Sequence, residues 1–125
     1  IEGKAIEFRG KVIAPEMIVG EPRPGFKMVY TGDTTFSESL VEFSKGVDVL
    51  IHDSTFESSK TDSADRVKHS TAKDAAMVAA SAGAKKLILT HLSARYQEAQ
   101  VMIEDAKGIF RNIEVAQDLM ELPIE

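Results

Sequence analysis

The run Leu87-Ile88-Leu89-Thr90-His91-Leu92-Ser93-Ala94-Arg95-Tyr96 sets a histidine at the end of a buried-strand pattern, with an arginine close behind it. An imidazole at a strand mouth can ligate a metal, and a nearby guanidinium can hold a phosphate. A strand-end histidine serves more often in a structural hydrogen bond, so the phrase gains weight only from its companions. Two others share its form: Met28-Val29-Tyr30-Thr31-Gly32-Asp33-Thr34-Thr35 and Val47-Asp48-Val49-Leu50-Ile51-His52-Asp53-Ser54-Thr55-Phe56. Each is an apolar run closed by residues able to coordinate an ion or move a proton.

A fourth cluster precedes a helix pattern. Thr71-Ala72-Lys73-Asp74 has capping-box spacing, with an acid in the place usual for Glu or Gln, ahead of the stripe Ala75, Val78, Ala79 and Ala82. His69 therefore stands just outside a helix start, where the dipole and free amides favour negative charge. A capped helix beside an ordinary surface histidine explains the same residues equally well. Between Ser54 and Lys68 runs a polar stretch longer than the usual connection of about 4 to 6 residues, and it reads as a flexible, lid-like loop. Asp53 at one end and His69 at the other can form a proton-transfer pair, because a carboxylate orients an imidazole and raises its basicity.

These residues need elements to position them. Short apolar runs separated by helix patterns read as parallel strands, here near residues 27–31, 47–52 and 86–90. Helices fit Ser37 to Lys45, Ala72 to Ala82 and Gln97 to Lys107, ended by Gly46, Gly83 and Gly108. Ligands gather at the carboxyl ends of such strands, so three polar clusters point to one rim. The first 26 residues form a strand-and-turn segment, with Arg9-Gly10 as a turn signal and Pro22-Arg23-Pro24-Gly25 as a loop; residues 27–125 form the alternating core. A last strand pair is expected at Asn112 to Ala116 and Asp118 to Leu122.

The 125 residues suit a single α/β domain, and 43% hydrophobic with 28% charged residues is ordinary for a globular protein. Without cysteine, a metal must be held by His, Asp or Glu. No apolar stretch approaches the roughly 20 residues that span a bilayer, and Ile1-Glu2-Gly3-Lys4 lacks a signal-peptide pattern, so a cytoplasmic setting and no membrane partner are expected. A net charge of −5 argues against nucleic acid as a partner, although Lys68, Lys73 and Arg95 fall near the proposed rim.

Taken in order, Thr31-Gly32-Asp33-Thr34, His52-Asp53-Ser54-Thr55-Phe56, His69-Ser70-Thr71 and Thr90-His91-Leu92-Ser93-Ala94-Arg95-Tyr96 resemble the motifs of ribonuclease Z, the tRNA 3′-processing endoribonuclease family of the metallo-β-lactamase superfamily. The Gly32-Asp33-Thr34 and Thr90-His91 pieces alone would imply only the superfamily; His69-Ser70-Thr71 before a helix, with Ser93-Ala94-Arg95-Tyr96 after the last histidine, selects the family within it. The resemblance runs from about Gly10 to the end and implies a zinc-dependent nuclease acting on precursor tRNA, homodimeric when complete, with two zinc ions per active site. It implies Asp33 as the aspartate shared by the two ions and His91 as a histidine ligand. Asp53 and His69 fall on the family's proton-transfer pair, and Arg95 on its phosphate contact. One departure is Asp53 itself, where the family commonly has Glu, one methylene longer.

The family's principal metal motif, His-x-His-x-Asp-His, is not in this sequence, whose histidines are His52, His69 and His91. The resemblance therefore places the chain as the C-terminal βα half of an αββα sandwich. Alone it is expected to bind zinc weakly, to leave tRNA uncut, and to expose a sheet face that favours self-association. Rival readings are another hydrolase of the superfamily acting on a lactone, sulfate ester or cyclic nucleotide, a receiver-like domain, and a non-catalytic interaction module. Ala5 to Ile13 supplies no acidic cluster for the receiver.

Overall fold

The computed structural model describes residues 3–21, 23–96 and 98–123. Strands β1 (Ile6–Phe8) and β2 (Lys11–Ile13) form an antiparallel hairpin in which Phe8 faces Lys11. Arg9 and Gly10 both have positive φ, at 51° and 73°, the backbone that a two-residue turn needs to match strand twist.

The main sheet holds β3 (Met28–Tyr30), β4 (Val49–Asp53), β5 (Lys86–Thr90) and β6 (Ile113–Val115), all parallel and side by side in chain order. Right-handed crossovers that always step in one direction put every connecting helix on the same face. That is where α1 (Glu38–Phe43), α3 (Ala72–Ala82) and α4 (Gln100–Ala106) pack. The buried cluster runs through Val29, Leu50, Leu87 and Leu89 of the sheet, Ala75, Val78 and Ala79 of α3, and Met102 and Ala106 of α4. Alanines along α3 let the helix lie close to the strands.

The opposite face carries Met28 and Tyr30, then Val49 and Ile51, then Lys86 and Ile88, then Glu114. Exposure there is concentrated on the β3 edge, where Met28 is 57% and Tyr30 66% accessible. Farther in, the expected exposure is not found: Val49 and Ile88 are buried. Ile88 lies in register between Ile51 and Glu114, and Lys86 Nζ holds Glu114 Oε1 at 2.6 Å.

Local signals set the helix ends. The Ser37 side chain accepts the Leu40 amide at the start of α1, and the expected capping box forms at α3, where Thr71 Oγ1 accepts from the Asp74 amide and Asp74 Oδ2 from the Thr71 amide. Gly83, at φ 65°, ends α3 in the left-handed conformation that glycine adopts without strain.

Two further expectations fail. Residues 54–68 are not a flexible loop: they contain a 3₁₀ turn at Ser58–Lys60 and the helix α2 (Thr61–Val67), whose Ala64 is buried. The turn is tied down because the Ser58 backbone N–H donates to Asp105 Oδ2 at 2.8 Å and its hydroxyl to Asp105 Oδ1. No strand forms at 118–122, so β6 ends its sheet with β5 as its neighbour instead of pairing through a turn. The last helix begins at Gln100, and Gln97, its expected start, lies outside the described residues.

Candidate active site

Because β3, β4 and β5 are parallel neighbours, their carboxyl ends open onto one rim. The turn after β3 presents Asp33 directly behind Gly32, whose φ of 61° bends the chain there. Asp53 closes β4, and His91 follows β5. The link from α2 to α3 adds His69. Ligand atoms of Asp33, Asp53, His69 and His91 all lie within 4.8 Å of one another.

Both histidines depend on left-handed backbone. His91 itself has φ 60°, and Lys68, immediately before His69, has φ 59° as the residue that ends α2. Side chains other than glycine reach this region at a cost of roughly 1–2 kcal/mol. Such positions concentrate at functional sites, where surrounding contacts hold them.

Asp53 is the organising group. Fully buried, it accepts at Oδ1 from the Thr55 amide (3.0 Å) and the Thr55 hydroxyl (2.7 Å). At Oδ2 it accepts from the Thr34 amide (3.1 Å), the Ser70 amide (3.4 Å) and His69 Nδ1 (2.8 Å). Burial pushes its carboxyl up, but the hydrogen bonds from Thr55, His69 and Thr34 outweigh that and hold it below the ordinary aspartate value. It is therefore an ionised carboxylate at neutral pH, and its shorter side chain does reach His69. With Nδ1 engaged, His69 works through Nε2.

Asp33 and His91 face outward, with side chains 62% and 47% accessible. His91 Nε2 lies 3.7 Å from Asp33 Oδ1, too long for a hydrogen bond, while its Nδ1 sits 2.8 Å from Thr55 Oγ1. The rings of His69 and His91 stack with centroids 4.9 Å apart. Two bonds of about 2.0–2.2 Å to one ion would span the gap between Asp33 and His91, and an imidazole with a carboxylate is a donor set that zinc accepts. These two residues fit a metal. Asp53 does not, since both its oxygens are already taken by protein donors.

Arg95 belongs to a neighbouring hollow. Its Nε donates to Ser93 Oγ at 3.2 Å and its guanidinium lies 5.0 Å from the Phe56 ring centroid. Phe56, Ser63, Arg66, Val67 and Arg95 line a cavity of about 280 Å³. Among the described residues neither arginine forms an ion pair with a carboxylate, so both charges are open to an anion. Arg66 escaped the sequence reading because α2 did. The donors Thr34, Thr55 and Ser70 escaped it as well, although Asp53-Ser54-Thr55 has the spacing at which an aspartate accepts its own backbone two residues on. His52, beside Asp53 in the sequence, is fully buried and donates from Nδ1 to the Asp53 carbonyl at 2.7 Å.

A model of the beta-lactamase superfamily domain matches residues 16–92. Ribonuclease Z of Methanosarcina acetivorans is 44% identical over 98% of this chain and 41% of its own length. Ribonuclease Z of Archaeoglobus fulgidus is 46% identical over 98% of this chain and 40% of its own. The chain thus spans about two fifths of the relatives it matches. Among solved structures, the short form of human tRNase Z superposes with a TM-score of 0.61 at 30% identity, covering 90% of this chain and 37% of that one. A long-form RNase Z from yeast gives 0.65 at 34% identity, covering 74% and 13%. No helix among the described residues is long and apolar enough to cross a membrane.

Proposed function

The chain belongs to the beta-lactamase superfamily, and from that premise we propose that it builds one half of the active site of a zinc-dependent endoribonuclease of the ribonuclease Z kind, removing 3′ trailers from precursor tRNA. The observation that carries this reading is the pairing of a buried, ionised Asp53 with His69, stacked on the His91 ring whose Nε2 faces Asp33. Likeness to ribonuclease Z over nearly the whole chain supports RNA as the substrate, ahead of the lactones or sulfate esters of other superfamily hydrolases.

Asp33 and His91 would hold zinc, with two ions in a complete site and the remaining ligands coming from outside this chain. Zinc, when bound, supplies a Lewis-acid charge that activates water and neutralises a phosphate. The chain's own groups do the proton work. Asp53 holds and orients His69 through Nδ1, and the doubly protonated ring gives up its Nε2 proton to the oxygen leaving phosphorus. Arg95, whose guanidinium has no carboxylate partner among the described residues, takes the substrate phosphate. The same reading entails a cytoplasmic, homodimeric complete protein and weak zinc binding by this chain alone.

A chimera tests it. Placing residues 1–125 in the matching segment of the Methanosarcina acetivorans ribonuclease Z is expected to give an enzyme that trims precursor tRNA at its 3′ end. Asp33→Ala and His69→Ala should each abolish trimming. A folded chimera without cleavage would overturn the proposal.

A further inference from the structure

We propose that Thr55 is a positioning residue that passes the charge of Asp53 on to His91, so that the neutral ring carries its proton on Nδ1 and has its bare Nε2 toward Asp33. The argument is a count of protons. A threonine hydroxyl has one hydrogen to donate and oxygen lone pairs with which to accept. Thr55 Oγ1 lies 2.7 Å from Asp53 Oδ1 and 2.8 Å from His91 Nδ1. A carboxylate only accepts, so the hydroxyl hydrogen goes to Asp53; pointing it at His91 would leave two bare oxygens in contact. His91 Nδ1 must then be the donor in the second bond. The direct separation between His91 Nδ1 and Asp53 Oδ1 is 3.6 Å, beyond hydrogen-bond reach, so the hydroxyl is the necessary link.

One buried carboxylate thereby sets two imidazoles, His69 directly and His91 through an intermediary. In metal sites the partner of the distal ring nitrogen fixes which nitrogen is free to ligate. Here that partner is a neutral hydroxyl backed by a charge, which would leave the His91 Nε2 lone pair free to ligate a divalent cation. The purpose rests on His91 being a metal donor; the tautomer does not.

Long-range proton–nitrogen NMR of this chain, labelled with nitrogen-15 and kept metal-free at pH 8, reads each ring nitrogen separately. His91 is expected to carry its proton on Nδ1, with Nε2 showing the shift of an unprotonated nitrogen. Thr55→Val, which keeps the shape and removes both hydrogen bonds, should move His91 toward the Nε2–H form, while Thr55→Ser keeps the native pattern. His69 should stay protonated on Nδ1 in all three proteins, reporting that the site remains folded. An Nε2–H His91 in the native chain would overturn the proposal, as would a Val variant with folded His69 and unchanged His91. Should the Val variant unfold, the native and Ser spectra still decide it. Because no RNA is involved, failure here is separate from failure of the chimera to cleave.

Discussion

Asp53 and His69, 16 residues apart, meet in a 2.8 Å hydrogen bond between Oδ2 and Nδ1, with the carboxylate fully buried and the imidazole partly open. The helix between them shapes this meeting. α2 ends on left-handed Lys68, which turns the chain so that His69 points back at the end of β4.

Removing the carboxylate should be costly on two counts. In Asp53→Ala the amides of Thr34, Thr55 and Ser70 and the Thr55 hydroxyl lose their acceptor, and an unsatisfied buried donor costs about 1–3 kcal/mol. Urea unfolding should show a loss of at least about 3 kcal/mol. In the chimera, Asp53→Asn should lower kcat by about 100- to 10,000-fold, the usual worth of a positioned acid–base group, with a smaller effect on KM.

Lys68→Gly should stabilise the fold. The lysine sits at φ 59°, where glycine is free of the roughly 1–2 kcal/mol penalty of a side chain. A rise in melting temperature of a few degrees is expected, and no gain would mean that local contacts already offset the strain.

Stability should fall with acid in two stages. Burial holds His52 below the ordinary histidine value of 6.5, so beneath that pH the unfolded chain binds a proton that the folded chain refuses. Stability therefore declines as pH drops from 6.5 toward the folded value. Asp53 is depressed below 3.8, so its contribution is complete above that pH and disappears as pH falls through its folded value. His52→Leu should flatten the first limb and leave the second. Unfolding midpoints across pH 3 to 8 check both signs.

The arginines should act on RNA affinity without touching proton transfer. In the chimera, Arg95→Ala and Arg66→Ala should each weaken tRNA binding at low salt and reduce the slope of log K against log salt by about 1, the signature of one lost phosphate contact. An unchanged slope for Arg66→Ala would confine phosphate binding to Arg95.

Much of the site was legible because strand mouths are. Asp33, Asp53 and His91 each end an apolar run, and parallel neighbours must bring such ends together. His69 was legible from the capping box that follows it. Apart from Thr55, two residues from Asp53, what escaped was set by contacts distant in sequence. The α2 helix lacks a strong apolar stripe and forms beside a turn anchored on Asp105, far along the chain, so no local pattern announced it. The strand expected at 118–122, as the second of a pair about a turn, found no partner, and a strand without a ladder does not form. The exposure expected over the whole open face was likewise a matter of neighbours: Ile88 is shielded in its row, while Tyr30 at the edge is not.

The order of the main sheet also bears on how the protein is made. Each strand of the main sheet pairs with the one synthesised just before it, while α3 packs on both β4 and the later β5. Growth from the ribosome can therefore add the sheet one strand at a time, while the turn before α2 is tied down only once Asp105 has been made. Chains stalled after β5 are expected to protect the amides of β4 from hydrogen exchange already, with the histidines of the rim falling into place in the order in which they are translated.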